Sequence, residues 1–147
     1  MIVAVNQSNE RAWAKLWSDF SHELWPDDPS PASHYLEERG KTYYHNEFLY
    51  HACNEYQALL SLSLRHDYVE GTSSSPVGYI EGIYVCRNFR GKGIAKELIN
   101  FAKKWAKDNH CSQIASDCEL GNLASEAFHK SIGFKEANRI ICFTMEV

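Results

Sequence analysis

The sequence predicts one α/β (α+β) domain spanning residues 1–147, with strands interleaved with helices around a single sheet. Three observations predict it. Runs of strand length rich in β-branched and aromatic residues recur along the chain, two strongly amphipathic segments of helical period lie among them, and 147 residues supply one core rather than two. Hydrophobic residues make up 44% of the chain, including 4 Trp, 8 Tyr and 7 Phe, enough to fill that core. No stretch approaches the roughly 20 apolar residues of a membrane span, so a soluble protein is expected.

The elements follow in order. Met1 to Val5 reads as a short strand, and Trp13, Leu16, Trp17, Phe20 and Leu24 then recur at helical spacing behind Ser8 as a candidate cap. Trp25-Pro26-Asp27-Asp28-Pro29 breaks that helix. Ser30-Pro31 opens a second helix, which Gly40 is placed to stop. Phe48 to Cys53 and Gln57 to Leu64 read as a hairpin turning at Asn54-Glu55. The polar stretch from His66 to Pro76 is a long connection, of the kind that often carries function. Val77 to Cys86 is a further strand. Gly93 to Lys107 is the clearest helix, with Ile94, Leu98, Phe101, Ala102 and Trp105 on one face and lysines on a solvated face. Cys111 to Asp117 reads as a strand, Asn122 caps a short helix to Ser131 that Gly133 ends, and Arg139 to Val147 reads as a closing strand.

Composition narrows the function. A net charge of -4 disfavours a nucleic-acid binder and suits a cationic partner. The first residues lack the basic and apolar regions of a secretory signal, and the five cysteines show no CxxC spacing, which points to reduced thiols in the cytoplasm and to no metal site.

The segment Val85-Cys86-Arg87-Asn88-Phe89-Arg90-Gly91-Lys92-Gly93-Ile94-Ala95 sets a Gly-rich turn between a strand and a helix N-terminus. Glycines admit close backbone approach, and the first-turn N–H groups with the helix dipole attract an anion such as a diphosphate. The spacing is neither a Walker loop nor a dinucleotide fingerprint. On its own, such a turn is also compatible with a simple tight connection, the lesser of the two readings.

Arg90-Gly91-Lys92-Gly93-Ile94-Ala95 resembles the Arg/Gln-x-x-Gly-x-Gly/Ala signature of the GCN5-related N-acetyltransferases, the GNAT superfamily. The segment from Asn122 to Gly133-Phe134 is similar to that superfamily's second hallmark, a short helix ending in Gly-Phe. Leu24-Trp25-Pro26, the 65–71 and 74–77 segments, Glu81-Gly82-Ile83-Tyr84-Val85 and Ala115-Ser116-Asp117 resemble the aminoglycoside 6'-N-acetyltransferases, over nearly the whole chain. The resemblance implies a mixed, mostly antiparallel sheet whose fourth and fifth strands splay apart. It implies acetyl-CoA as cosubstrate, with Ile83, Tyr84 and Val85 bonding pantetheine, Gly91, Lys92, Gly93, Ile94 and Ala95 around the pyrophosphate, Arg90 and Lys92 adding charge, and Asn122 bonding the pantetheine arm or capping its helix.

On the acceptor side the resemblance implies a cationic aminoglycoside, with Glu81 and Asp117 contacting its amines and Trp25 and Tyr68 as flat contact faces. Where relatives often carry another acid after the Gly-Phe, this chain has Asn138. Asp117 is the candidate for orienting the reacting amine or taking its proton. Direct transfer in a ternary complex needs no covalent intermediate, so no cysteine, Cys86 and Cys118 included, is expected as nucleophile. His129 stands where many relatives carry a tyrosine that protonates the leaving thiolate. Imidazole and thiol ordinarily titrate near 6.5 and 8.5, so His129 is either that acid or a packing residue at a helix end. A homodimer is expected, with the segment around Tyr68 or the closing strand completing the partner's site. The same loop also suits acetylation of another amine (a polyamine, amino sugar or protein N-terminus) or a non-catalytic acyl-CoA-binding module.

Overall fold

The computed structural model describes residues 1–39, 41 and 46–147. Gly40, the expected stop of the second helix, lies outside the described residues. The elements run β1 (Ile2–Ala4), α1 (Glu10–Leu24), α2 (Ala32–Glu38), β2 (Asn46–Ala52), β3 (Glu55–Arg65), β4 (Val77–Val85), α3 (Ile94–Asp108), β5 (Ile114–Ser116) and α4 (Leu123–Ser131), with a 3-10 turn at Arg87–Phe89.

The five strands lie in sequence order, antiparallel from β1 to β4 and parallel between β4 and β5. A parallel neighbour needs a crossover, and α3 supplies it. Along β3 the side chains alternate between two cores. Ala58, Leu60 and Leu62 face α3, where they meet Ile94, Leu98, Ile99 and Ala102. Leu59 faces α1, with Trp13, Ala14 and Leu16. Both faces of the strand are thus covered, which explains its continuous buried run.

Four local expectations shift. Asn9, not Ser8, occupies the N-cap of α1, because Ser8 donates from its backbone N and its Oγ to Asn6 Oδ1 at 2.8 and 2.6 Å in a turn that delays the helix. Pro31, one residue later than expected, holds the cap position of α2. The β2–β3 turn falls on Cys53 and Asn54, with φ of 51° and 60°, so Glu55 already belongs to β3. The closing strand predicted over Arg139 to Val147 is not formed. Residues 135–147 have no regular structure, and Ile140, Ile141, Phe143, Met145 and Val147 are exposed. A strand needs a hydrogen-bonding neighbour, and within one chain this segment pairs with none of the five strands.

Candidate active site

The site begins where the sheet opens. β4 pairs with β5 only from Gly78 to Ile80, matched to Ile114 to Ser116, and beyond that point the two strands part. A register shift on the other side of β4 pairs Leu62 with Ile80 but Ser61 with Gly82, leaving Glu81 as the extra residue of a bulge. Bulges redirect side chains. Gly82 sits beneath the Trp17 ring, where an added Cβ would lie 2.3 Å from it.

The parted strands open a cleft of about 850 Å³. One end is the loop that leads into α3. Gly91 and Gly93 adopt φ of 75° and 85°, and a Cβ on either would project into open space, leaving room for a ligand group against the backbone. Gly93 is the N-cap of α3, whose first N–H groups have no intrahelical acceptor. The donors, dipole and space of this loop fit a pyrophosphate. Ile83, Tyr84, Val85, Gly91, Gly93, Ile94, Ala95 and Asn122 all line the cleft. Asn122 accepts from the Ser125 N–H at 3.1 Å, so its side chain caps α4.

Arg90 also lines the cleft, and it, Arg87 and Lys92 each contact other groups of the protein. Arg90 donates from Nε to the Val85 carbonyl at 2.7 Å and from Nη2 to Glu23 at 3.0 and 2.9 Å, and Arg87 joins it on Glu23 at 2.9 Å. Burial alone would raise the Glu23 carboxyl, but the two guanidinium groups outweigh it and hold its pKa below the ordinary value. The Lys92 ammonium lies 5.2 Å from the Phe89 ring centre. The structure therefore ties Arg90 to α1 and the end of β4, a role its place in the motif did not announce.

At the other end, Trp25, Glu81, Asp117, Glu119 and His129 line the cleft. Asp117 follows β5 directly and accepts a hydrogen bond from the Tyr79 hydroxyl on Oδ2 at 2.6 Å. Glu81 is bound by Ser63 Oγ at 2.5 Å and twice by Arg65 Nη2 at 2.9 Å. Trp25 Nε1 donates to Glu119 at 2.8 Å, joining the end of α1 to the loop after β5. His129 Nδ1 lies 2.7 Å from the Ser125 carbonyl and Nε2 lies 2.9 Å from Ser116 Oγ. A carbonyl only accepts, so Nδ1 carries a proton and Nε2 faces the Ser116 hydroxyl in the cleft. Burial raises the Cys86 thiol, which holds it away from thiolate chemistry. Among the described residues no cluster of His, Cys, Asp and Glu has the geometry to hold a metal.

Two predicted contacts are not brought here. Tyr68 is 76% exposed in the loop after β3, outside the cleft. Asn138 donates to Glu70 at 2.9 Å, beside the tight approach of Ala137 to Gly71, also away from the cleft.

Residues 10–134 match the profile of the acetyltransferase (GNAT) family. The chain belongs to that family. It is 39% identical over 136 residues to an aminoglycoside N(6')-acetyltransferase type 1 of Acinetobacter haemolyticus, an alignment covering 90% of this chain and 92% of the relative. It is 36% identical to one of Serratia marcescens over 97% of both chains. Its fold superposes with a TM-score of 0.84 on AAC(6')-Iy in complex with the bisubstrate analogue CoA-S-monomethyl-acetylneamine, at 31% identity, covering 100% of this chain and 98% of that one. The open loop before α3 thus belongs to a GNAT acetyltransferase, for which acetyl-CoA is the cosubstrate.

Sequence reasoning missed Glu23, Ser63, Arg65, Tyr79, Ser116 and Glu119. Tyr79 carries no motif, and Arg65 opens the 65–71 segment without a role of its own being read there. Only the strand register, together with alternation from Glu81, could have placed them on its face.

Proposed function

We propose that this acetyltransferase moves the acetyl group of acetyl-CoA onto the 6'-amino group of aminoglycosides, by direct attack in a ternary complex, and so protects its host from them. One observation carries the reading. A single cleft joins an anion-binding loop at one end to carboxylates and an exposed indole at the other, the chemistry that a diphosphate donor and a polycationic sugar require. The kinship with aminoglycoside N(6')-acetyltransferases supports it.

In this reading the thioester arrives activated, and the residues position and transfer protons. Gly91 to Ala95 hold the pyrophosphate, while Ile83, Tyr84 and Val85 line the pantetheine path between the parted strands. The Trp25 face takes a sugar ring. Asp117 orients the amine and receives the proton that the nitrogen sheds as it bonds to the acetyl carbon, directly or through water. As the carbon–sulfur bond breaks, the imidazolium form of His129, protonated on both ring nitrogens, gives its Nε2 proton through the Ser116 hydroxyl to the departing thiolate and is left neutral with its Nδ1 proton on the Ser125 carbonyl. No cysteine forms an acyl intermediate.

We also infer a homodimer. Among the described residues of one chain, the apolar tail over residues 139–147 and the outer edge of β5 are both unpaired. A second copy pairs them and brings Tyr68 and Asn138 toward a composite acceptor site. All five cysteines are free, which suits the reducing cytoplasm. No described helix is long and apolar enough to cross a membrane.

The test is thiol release from acetyl-CoA with kanamycin, tobramycin or spermidine as acceptor. Turnover on both aminoglycosides and little on spermidine supports the reading. Preference for spermidine would assign another amine, and acetyl-CoA binding without any thiol release would leave a non-catalytic module.

A further inference from the structure

Arg65 and Tyr79 lie on the sheet face that carries Glu81, and the sequence assigns a role to neither. The β3–β4 register sets Ser63 opposite Tyr79 and Arg65 opposite Val77, so Ser63, Arg65 and Tyr79 share that face. The bulge adds Glu81 to them. The Arg65 guanidinium then contacts both Glu81 and Tyr79. Its Nε and Nη2 donate to Glu81 Oε1 at 3.1 and 2.9 Å and Nη2 also to Oε2 at 2.9 Å. Its central carbon lies 3.4 Å from the centre of the Tyr79 ring, a cation–π stack. Tyr79 is 5% exposed and its hydroxyl donates a hydrogen bond to Asp117 Oδ2. The four groups form one connected line from Glu81 through Arg65 and Tyr79 to Asp117.

The line distinguishes the two carboxylates. The Glu81 side chain is 4% exposed, and the charge of Arg65 balances its own. It offers an incoming amine hydrogen-bond acceptors, but little net charge. Asp117 meets only a neutral phenol, and among the described residues its Oδ1 accepts no hydrogen bond. Burial, reinforced by the bond to Asp117, raises the Tyr79 phenol, so the hydroxyl remains a donor through the neutral range.

Resting on the aminoglycoside reading, we propose that Tyr79 and Arg65 are positioning residues for the acceptor. Tyr79 fixes Asp117 so that Oδ1 meets the reacting amine, and Arg65 cancels the charge of Glu81 while stacking on Tyr79 to hold it in place. Acceptor recognition therefore depends on the linked set rather than on two independent carboxylates.

Linkage makes the proposal measurable by double-mutant cycles on kcat and KM with kanamycin. Tyr79→Phe keeps the ring and removes the hydroxyl. It should lower kcat about tenfold with acetyl-CoA affinity unchanged by calorimetry, since one charge-assisted hydrogen bond is lost. In an Asp117→Asn background the same change should cost less than about twofold. Glu81→Gln leaves the Arg65 charge facing a cation and should raise the kanamycin KM about tenfold, and adding Arg65→Met should recover most of that loss. A purely structural role for Arg65 and Tyr79 predicts equal losses in every background, and that result would overturn the proposal while leaving wild-type turnover on kanamycin intact. A wild-type enzyme that releases no thiol with kanamycin would overturn the aminoglycoside reading and this proposal together.

Discussion

Glu47→Gln should stabilise the protein at alkaline pH, although it removes a charge from a well-bonded carboxylate. Glu47 as a residue is part-exposed, yet its carboxyl group is enclosed between α1 and the sheet, accepting from Ser61 Oγ at 2.5 Å, Trp13 Nε1 at 2.7 Å and Trp17 Nε1 at 3.4 Å. Burial outweighs those three donors and the more distant Arg39, and pushes its pKa from 4.5 up to about 7. A carboxyl group that is harder to ionise when folded favours the folded state fully below its unfolded pKa. That contribution fades as pH rises and is gone above the folded value. The interval corresponds to roughly 3 kcal/mol between pH 4.5 and 7, on the order of 6–12 °C in melting temperature for a chain of this size. In the variant the amide oxygen keeps both indole donors and the NH₂ donates to Ser61 Oγ, so the hydrogen bonds survive without the ionisation. Calorimetric melts from pH 4.5 to 8.5 should show wild type losing stability relative to Glu47→Gln as pH rises. Parallel curves, or a wild type that gains on the variant with pH, would refute the reasoning.

Three further outcomes are expected. Gly93→Val places a β-branched residue at a φ of 85° and a side chain in the space over the loop, so acetyl-CoA affinity should fall by at least about tenfold in calorimetry. His129→Phe should lower kcat about 10²-fold, spare acetyl-CoA affinity and alter the alkaline limb of the pH–rate profile; an unchanged profile would return the thiolate's proton to water. Deleting residues 139–147 should give a monomer in sedimentation at micromolar concentration with a raised aminoglycoside KM, whereas a full-length monomer with full activity would contradict the dimer.

What the sequence disclosed and what it hid divide along the range of the interactions. The loop before α3 was legible because its glycines, helix period and cap are all set within ten residues, and the same holds for the α4 cap at Asn122. Asp117 was legible as an acid at a strand end, whereas Glu81 stands in the middle of β4 rather than near its end, and the partners of neither were legible. The pairing of Glu81 with Arg65 depends on a bulge that shifts the register by one residue, and no local pattern announces a bulge. Arg90 appeared suited to a phosphate because it sits in the motif, yet Glu23, 67 positions earlier, holds it. The tail over 139–147 reads as a strand for sound reasons of composition, but composition cannot supply the neighbouring edge that a strand requires.

The central claim is that the cleft sets an aminoglycoside 6'-amine against the thioester. It is tested most directly by NMR location of the acetyl group on kanamycin after turnover with acetyl-CoA. The account predicts a single product acetylated at the 6'-nitrogen. Acetylation at any other nitrogen, or unmodified kanamycin after prolonged incubation with enzyme that binds acetyl-CoA, would contradict it.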